Sequence, residues 1–442
     1  MAGSSGTRVT LSQSRIEERT SRNAEESQGL VKLILFFWFL RIFKPEWLIS
    51  YYIPSLSILK PIPTVLLLLF LLCLVISRQK IRIDWSMLWF SVVVCTSTAL
   101  SENRGISFGI MRNIIETLLI YTYASTYITS ENSIRRLFFL YITAFAVFGV
   151  WGIVQGGMVK AHLHIDDEDA FGPFMSIGIA ISYFVAQREE GLRRLLCHVS
   201  LFICIAGAVA SFARGTFLSM MLLLFYIFMR TEEKARLIRR VIVIALVCST
   251  IALSTIPEYI EKYSDEISTI WSEGAKEGTG KDRMYLWTRA LSMFLDYPLI
   301  GVGPGCYGHK ISSYITQQTA DEWGVRFQMY GRAIHNIYLE ILTDMGLLGL
   351  SAFLSLLYVF RRRNLYTKEY EKRAKEKEPQ KNAVKPSIPV FHYSLALEGG
   401  MLAFLSNGFF FNLFYYAWFW DLLILNTLLY LRISSIESTS VQ

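Results

Sequence analysis

The chain has 442 residues, of which 53% are hydrophobic, 14% aromatic and only 18% charged, with a mean hydropathy of +0.37. Soluble chains carry about 25% charged residues and lack repeated apolar runs of about 20, so the composition predicts an all-α polytopic membrane protein. The apolar runs are continuous rather than alternating, which excludes an outer-membrane barrel. The net charge of +8 is read as basic loops and not as a nucleic-acid surface.

Residues 1–29, rich in Ser, Arg and Glu, read as a disordered cytoplasmic tail, with no small-residue cleavage site after the first apolar run. Apolar runs follow at about 30–52, 60–77, 84–100, 106–128, 134–155, 171–187, 192–211, 213–230 and 239–256, then at 335–360, 389–410 and 412–432, which predicts about twelve transmembrane helices. The loops SRQKIR, NSIRR, QREEGLRR, MRTEEKARLIRR and the long run from Arg361 are basic and fall on one side; ILKPIP, SENRGIS and AHLHIDDEDAFGP are not. The basic side is expected to be cytoplasmic. The division is then an N-terminal bundle at 30–256, an extracytoplasmic loop domain at 257–334, C-terminal helices at 335–432 with a basic cytoplasmic loop at 361–386, and a tail at 433–442.

The long loop carries two helical patterns, SDEISTIWSEG and DRMYLWTRALSMFLDYP. In the second, Met284, Trp287, Leu291 and Leu295 recur at helical spacing, and Tyr285 and Trp287 suit an interface. Short amphipathic helices lying on the membrane are expected, with GVGPG as a structural hinge. Of the six Cys, Cys73, Cys95, Cys197, Cys204 and Cys248 lie in apolar runs and Cys306 stands alone in the loop. No CxxC is present, so the cysteines predict no metal site.

Several polar residues could carry chemistry. His335 opens HNIYLEILTDMGLLGL and can exchange a proton near neutral pH, or simply serve as an interfacial imidazole. Glu340 and Asp344 share one face of that helix; an intramembrane acid costs about 2.5–3.5 kcal/mol, so both are expected to face inward and pair with a cation. Arg214, in SFARGTFLSM, suits phosphate recognition or anchoring at the membrane rim. Arg112 is placed four residues before Glu116, which would neutralise it. Arg283, Arg289, Arg326 and Arg332 could form a cationic pocket beside His335. GVGPG lacks the third Gly of a dinucleotide loop. His162 and His164, with Asp166, Asp167, Glu168 and Asp169, are read as an exposed acidic loop rather than a cation site.

SFARGTFLSM, DRMYLWTRALSMFLDYPLIGVGPG and HNIYLEILTDMGLLGL, in that order around a long outer loop, resemble the O-antigen ligase and polymerase superfamily of membrane glycosyltransferases; FLRIFKPEWL resembles its first helix region. The segment reads FARG, with Ala213 where the family more often has Ser. The resemblance implies a GT-C-like bundle in a bacterial cytoplasmic membrane, active on its periplasmic face. It implies an undecaprenyl-diphosphate-linked glycan donor, a glycan, lipid A-core or other hydroxyl acceptor, and inverting transfer with no cofactor or metal. It makes His335 the general base and Arg214, Arg283, Arg289 and Arg332 the diphosphate-binding residues. Glu340, Asp344 and Arg112 would be structural or supporting. A repeat-unit polymerase of the same superfamily is the alternative. A transporter or flippase would need broken helices and an internal repeat, and the sequence shows neither; an inactive assembly protein is a third reading.

Overall fold

The computed structural model describes residues 29–62, 64–66, 68, 69, 72, 84–162, 164–231, 234, 235, 278–325, 331–370, 373 and 388–439. The expected spans at 60–77 (largely) and 239–256, the SDEISTIWSEG helix, Arg326, Cys73 and Cys248 lie outside them. The described residues are helical with no strand. Five helices are long and apolar enough to cross a membrane: Glu131–Val154, Glu168–Ala186, Gly191–Ala210, Ile337–Lys368 and Ala417–Ser438. The chain is an integral membrane protein by these helices. Trp85–Ala99, Arg104–Tyr127, Arg214–Arg230 and Val390–Asn407 pack among them.

Glu168–Ala186 sits at the centre, buried from Ala170 to Ala186. It packs on Gly191–Ala210 and Val390–Asn407. Small residues permit the close approach: a Cβ on Gly178 would come within 2.6 Å of Cys204 Sγ. The first expected span is split at Lys44, which adopts φ 43, ψ 51 between a helix over 29–43 and Pro45–Tyr52.

The polar residues divide between the two ends of the bundle. One end carries ion pairs: Arg135 and Arg193 on Glu189, Arg230 and Lys368 on Glu398, Arg363 on Asp84 and Arg432 on Glu131. These arginines and lysines belong mostly to the loops read as basic from sequence. The opposite end holds the N-termini of Glu168–Ala186, Arg214–Arg230 and Ile337–Lys368, where Asp169, Arg214 and His335 are found.

The loop segment has its own core. Tyr285, Leu286, Ala290 and Met293 of Gly278–Asp296 are buried against Val302, Cys306, Ile311, Ile315, Ala320 and Ile334. The stripe expected to lie on the membrane is left uncovered by the loop core: Met284, Leu291 and Leu295 are 37%, 47% and 73% exposed. The helix is apolar on both sides, one closing the loop core and one left uncovered.

The glycine-rich turn is not a hinge. Ile337–Lys368 breaks at Gly346, with φ 63 and ψ −158, about 14 Å from its start at 1.5 Å per residue. The 298–303 segment docks into the break. Val302 and Gly303 N–H donate to the Thr343 and Asp344 carbonyls (both 2.9 Å), and Leu347 and Leu348 N–H donate to the Pro298 and Leu299 carbonyls (2.8 and 3.1 Å). Ser97 Oγ donates to the Ile300 and Asp344 carbonyls at 3.0 Å. Four backbone groups freed by the break, the Thr343 and Asp344 carbonyls and the Leu347 and Leu348 amides, are thus taken by the loop, as low-dielectric surroundings favour. A broken helix is therefore present, contrary to the sequence reading, and it is filled by protein rather than lining a transport path.

Candidate functional site

Four segments meet at the end of the bundle that holds His335. Asn336 caps Ile337–Lys368, accepting from Tyr338 N–H at 2.9 Å and Leu339 N–H at 3.1 Å, so the helix begins at Ile337 and His335 lies just outside it. His335 has φ 52, a left-handed conformation uncommon for a residue with a Cβ, and such outliers concentrate at functional sites. Its turn is fixed from both sides. Ile337 N–H donates to the Gly408 carbonyl at 2.8 Å, and Trp287 Nε1 donates to the Ile334 carbonyl at 2.9 Å.

Asp169 organises the charges. Its Oδ2 lies 3.5 Å from His335 Nδ1 and 3.7 Å from Arg283 Nη2. Asp167 caps the same helix by accepting from Ala170 N–H at 2.7 Å, which turns Asp169 into the site one residue into the first turn. The DDED run is thus not simply an exposed acidic loop: Asp166 and Asp167 face solvent, while Asp169 bridges the imidazole and the guanidinium. The sequence carried one usable signal for it, an acid in the first turn of a membrane helix that starts on the side of His335. His162 is likewise committed, donating from Nε2 to the Ile42 carbonyl at 3.0 Å and accepting from His164 N–H at 3.2 Å.

Arg283 also lies over the Phe411 ring at 5.9 Å. Burial lowers its pKa, Asp169 raises it and the nearby Arg214 lowers it, which places Arg214 within electrostatic reach of the same point. Arg214 opens its helix after Phe212, which has φ 51. His335 is pushed down to about 4, first by burial and then by the positive fields of Arg283 and Arg332. A neutral imidazole ringed by cations is the form that accepts a proton at physiological pH. Arg289 does not join this group through any contact among the described residues; its guanidinium lies over its own helix at Tyr285, 5.4 Å away, and its Nε donates to Thr288 Oγ1 at 3.4 Å.

Glu340 and Asp344 are buried as expected, at 7% and 1% exposure, but neither pairs with a cation among the described residues. Asp344 accepts from Gly305 N–H (2.7 Å), Tyr307 N–H (3.2 Å) and Tyr415 Oη (2.7 Å). The loop docked at Gly346 brings amides where the expected cation would stand, and amide donors satisfy a carboxylate without a second charge. Glu340 accepts from Asn412 Nδ2 at 3.1 Å, and its other oxygen has no partner among the described residues. Arg112 lies 4.0 Å from Glu116 on an exposed helix face.

The arrangement places a proton acceptor, its carboxylate neighbour and cations at one mouth of the bundle, suited to reacting a neutral nucleophile with an anionic leaving group. Comparison with curated proteins returned no match to the chain. Residues 199–354 match the family model described as O-Antigen ligase, a span that holds Arg214, Arg283, His335, the GVGPG loop and the Gly346 break.

Proposed function

We propose that this protein transfers a glycan from an undecaprenyl-diphosphate carrier to an acceptor hydroxyl on the outer face of a bacterial cytoplasmic membrane. The observation that carries the reading is the convergence of His335 and Arg283 on Asp169 within a segment that matches the O-antigen ligase model on one side and a central helix on the other. His335 takes the proton of the acceptor hydroxyl on Nε2. The hydroxyl oxygen bonds to the anomeric carbon as the bond from that carbon to the diphosphate oxygen breaks, with inversion. Arg214 and Arg283 hold the charge that develops on the leaving diphosphate, and Arg332 extends the cationic rim. Asp169 accepts from Nδ1–H, which orients the ring and keeps Nε2 free. The uncovered stripe of Met284, Leu291 and Leu295 suits the bilayer surface, where a polyprenyl chain enters laterally while the glycan stays in water. We read the described helices as part of a GT-C-like bundle of about twelve spans, with the basic loops cytoplasmic.

The purified chain in liposomes with a polyprenyl-diphosphate-linked glycan and a hydroxyl acceptor should yield product without added nucleotide sugar or metal salt; no product under any acceptor would refute the assignment. Ligase is favoured over repeat-unit polymerase by the description of the matching family. A null strain separates them: mature polysaccharide left on its carrier marks a ligase, single capped repeats a polymerase.

Asp169→Asn keeps the side chain's shape and removes its charge. Transfer should fall about tenfold or more through kcat rather than KM, with the melting temperature little changed. A variant with unchanged kcat would remove Asp169 from the mechanism.

A further inference from the structure

A second polar cavity, of about 430 Å3, opens among the 29–43 helix, Pro45–Tyr52, Arg104–Tyr127 and the start of Ala417–Thr439. His335, Asp169, Arg214 and Arg283 do not line it. Its described wall carries four cations, Arg41, Lys44, Lys60 and Arg112, against two carboxylates, Glu46 and Glu116, and with Asp421 paired to Arg41 behind the wall the formal excess is one positive charge (four minus three). Arg112 and Glu116 stand eight and twelve residues into a helix that begins at Arg104, about 12 and 18 Å below its end at 1.5 Å per residue. Cations at such a depth in an apolar chain cost about 2.5–3.5 kcal/mol each unless compensated.

The cations are differently held. Arg41 is anchored by Asp421 at 3.1 Å and Thr117 at 3.3 Å. Lys60 leans on the Trp47 ring at 4.1 Å. Lys44, in the left-handed break between two helices, has no ion pair or side-chain hydrogen bond among the described residues. Glu46, Glu116 and Asp421 reach Lys44 at electrostatic range only, and Glu46 leaves one carboxylate oxygen without a hydrogen-bond partner among the described residues. A fixed guanidinium beside ammonium groups, at a wall that also offers the Asn113 side-chain amide, is the donor set of a tetrahedral oxyanion.

We propose that this cavity is a second binding site, for a phosphate-bearing head group, separate from the His335 site. The phosphate sits between Arg41, Lys44 and Lys60, with its remaining substituent toward Asn113 and Thr117. The source is either a membrane phospholipid or a soluble phosphate ester. The proposal stands apart from the transfer reaction and holds whether or not the chain is a transferase.

The test uses the full chain in detergent with three probes: dihexanoyl-phosphatidic acid, dihexanoylglycerol and glycerol 1-phosphate. Phosphatidic acid should bind about tenfold or more tightly than dihexanoylglycerol, and Lys44→Gln with Lys60→Gln should remove that preference. The Arg pair at the same positions should retain it. Arg283→Gln should leave it unchanged. Binding of glycerol 1-phosphate at similar strength identifies a soluble ester as the source, and its failure identifies a lipid head group. Equal binding of the phosphorylated and neutral lipids, or binding that survives the double Gln variant, overturns the site. Loss in Arg283→Gln alone does so too, by placing the phosphate at His335. Should the double variant fail to fold, Lys60→Gln alone, at a partly exposed turn, reads a weaker loss of the same preference.

Discussion

His335→Asn should reduce glycan transfer by about 10²–10⁴-fold while leaving the fold intact. Asn is the cleaner replacement because it tolerates the left-handed backbone at φ 52 that His335 adopts. His335→Ala should remove the same chemistry, though Ala fits that conformation less readily. Transfer at the wild-type rate by either variant would end the general-base assignment. The pH dependence gives a second handle. Burial, Arg283 and Arg332 hold the imidazole near 4, and burial lifts Asp169 to about 6, so kcat/KM should be flat from pH 8 to about 7, decline as Asp169 is protonated near 6, and reach the imidazole's own acid limb near 4. Arg332→Gln removes a positive field, so the acid limb should move up toward the free value of about 6.5. Bound diphosphate neutralises the same arginines, so the limb in kcat should lie above that in kcat/KM. Stability follows the same sign. A folded pKa below the unfolded one disfavours the protonated form, so this residue's contribution is complete above about pH 6.5 and is lost as pH falls toward 4. An acid limb that ignores Arg332→Gln would show that these cations do not tune His335.

Gly346→Ala should prevent accumulation of folded protein. A Cβ there would lie 2.4 Å from the Leu299 carbonyl carbon and 2.6 Å from Ile300 N, and the backbone at φ 63, ψ −158 excludes ordinary side chains. Strain of about 1–3 kcal/mol and overpacking of a similar size sum to roughly 2–6 kcal/mol, which reaches the low end of the stability of natural domains. Gly301→Ala should behave alike, since its Cβ would meet the Asp344 backbone at 2.4–2.5 Å from the other side. Detergent-solubilised yield and melting temperature measure both. A Gly346→Ala protein with wild-type stability would mean that the loop does not need the break to dock.

Much of the plan was readable from the chain. Apolar runs marked helices because a bilayer or a buried bundle demands them, and basic loops marked one end because charge must leave the apolar layer. His335 was readable as a candidate because a titratable residue at a helix mouth is uncommon in an apolar sequence. The side of Gly278–Asp296 that closes the loop core went unread because both of its sides are apolar, and periodicity cannot say which one a neighbouring core will cover. The partners of Glu340 and Asp344 were misread because backbone amides are invisible to a reading that counts charged side chains.

The sequence by itself determined the class of protein, the apolar runs that became the five long helices, the end at which the basic loops gather and the candidacy of His335, Arg214 and Arg283. These follow from local composition, and local composition is what solvation acts on. Only the tertiary structure decided that Asp169, 166 residues before His335 (335 minus 169), is its neighbour. It alone showed that PLIGVGPG is the plug of a broken helix. Both rest on contacts between segments far apart in the chain, which hydrophobic periodicity does not encode and packing alone selects.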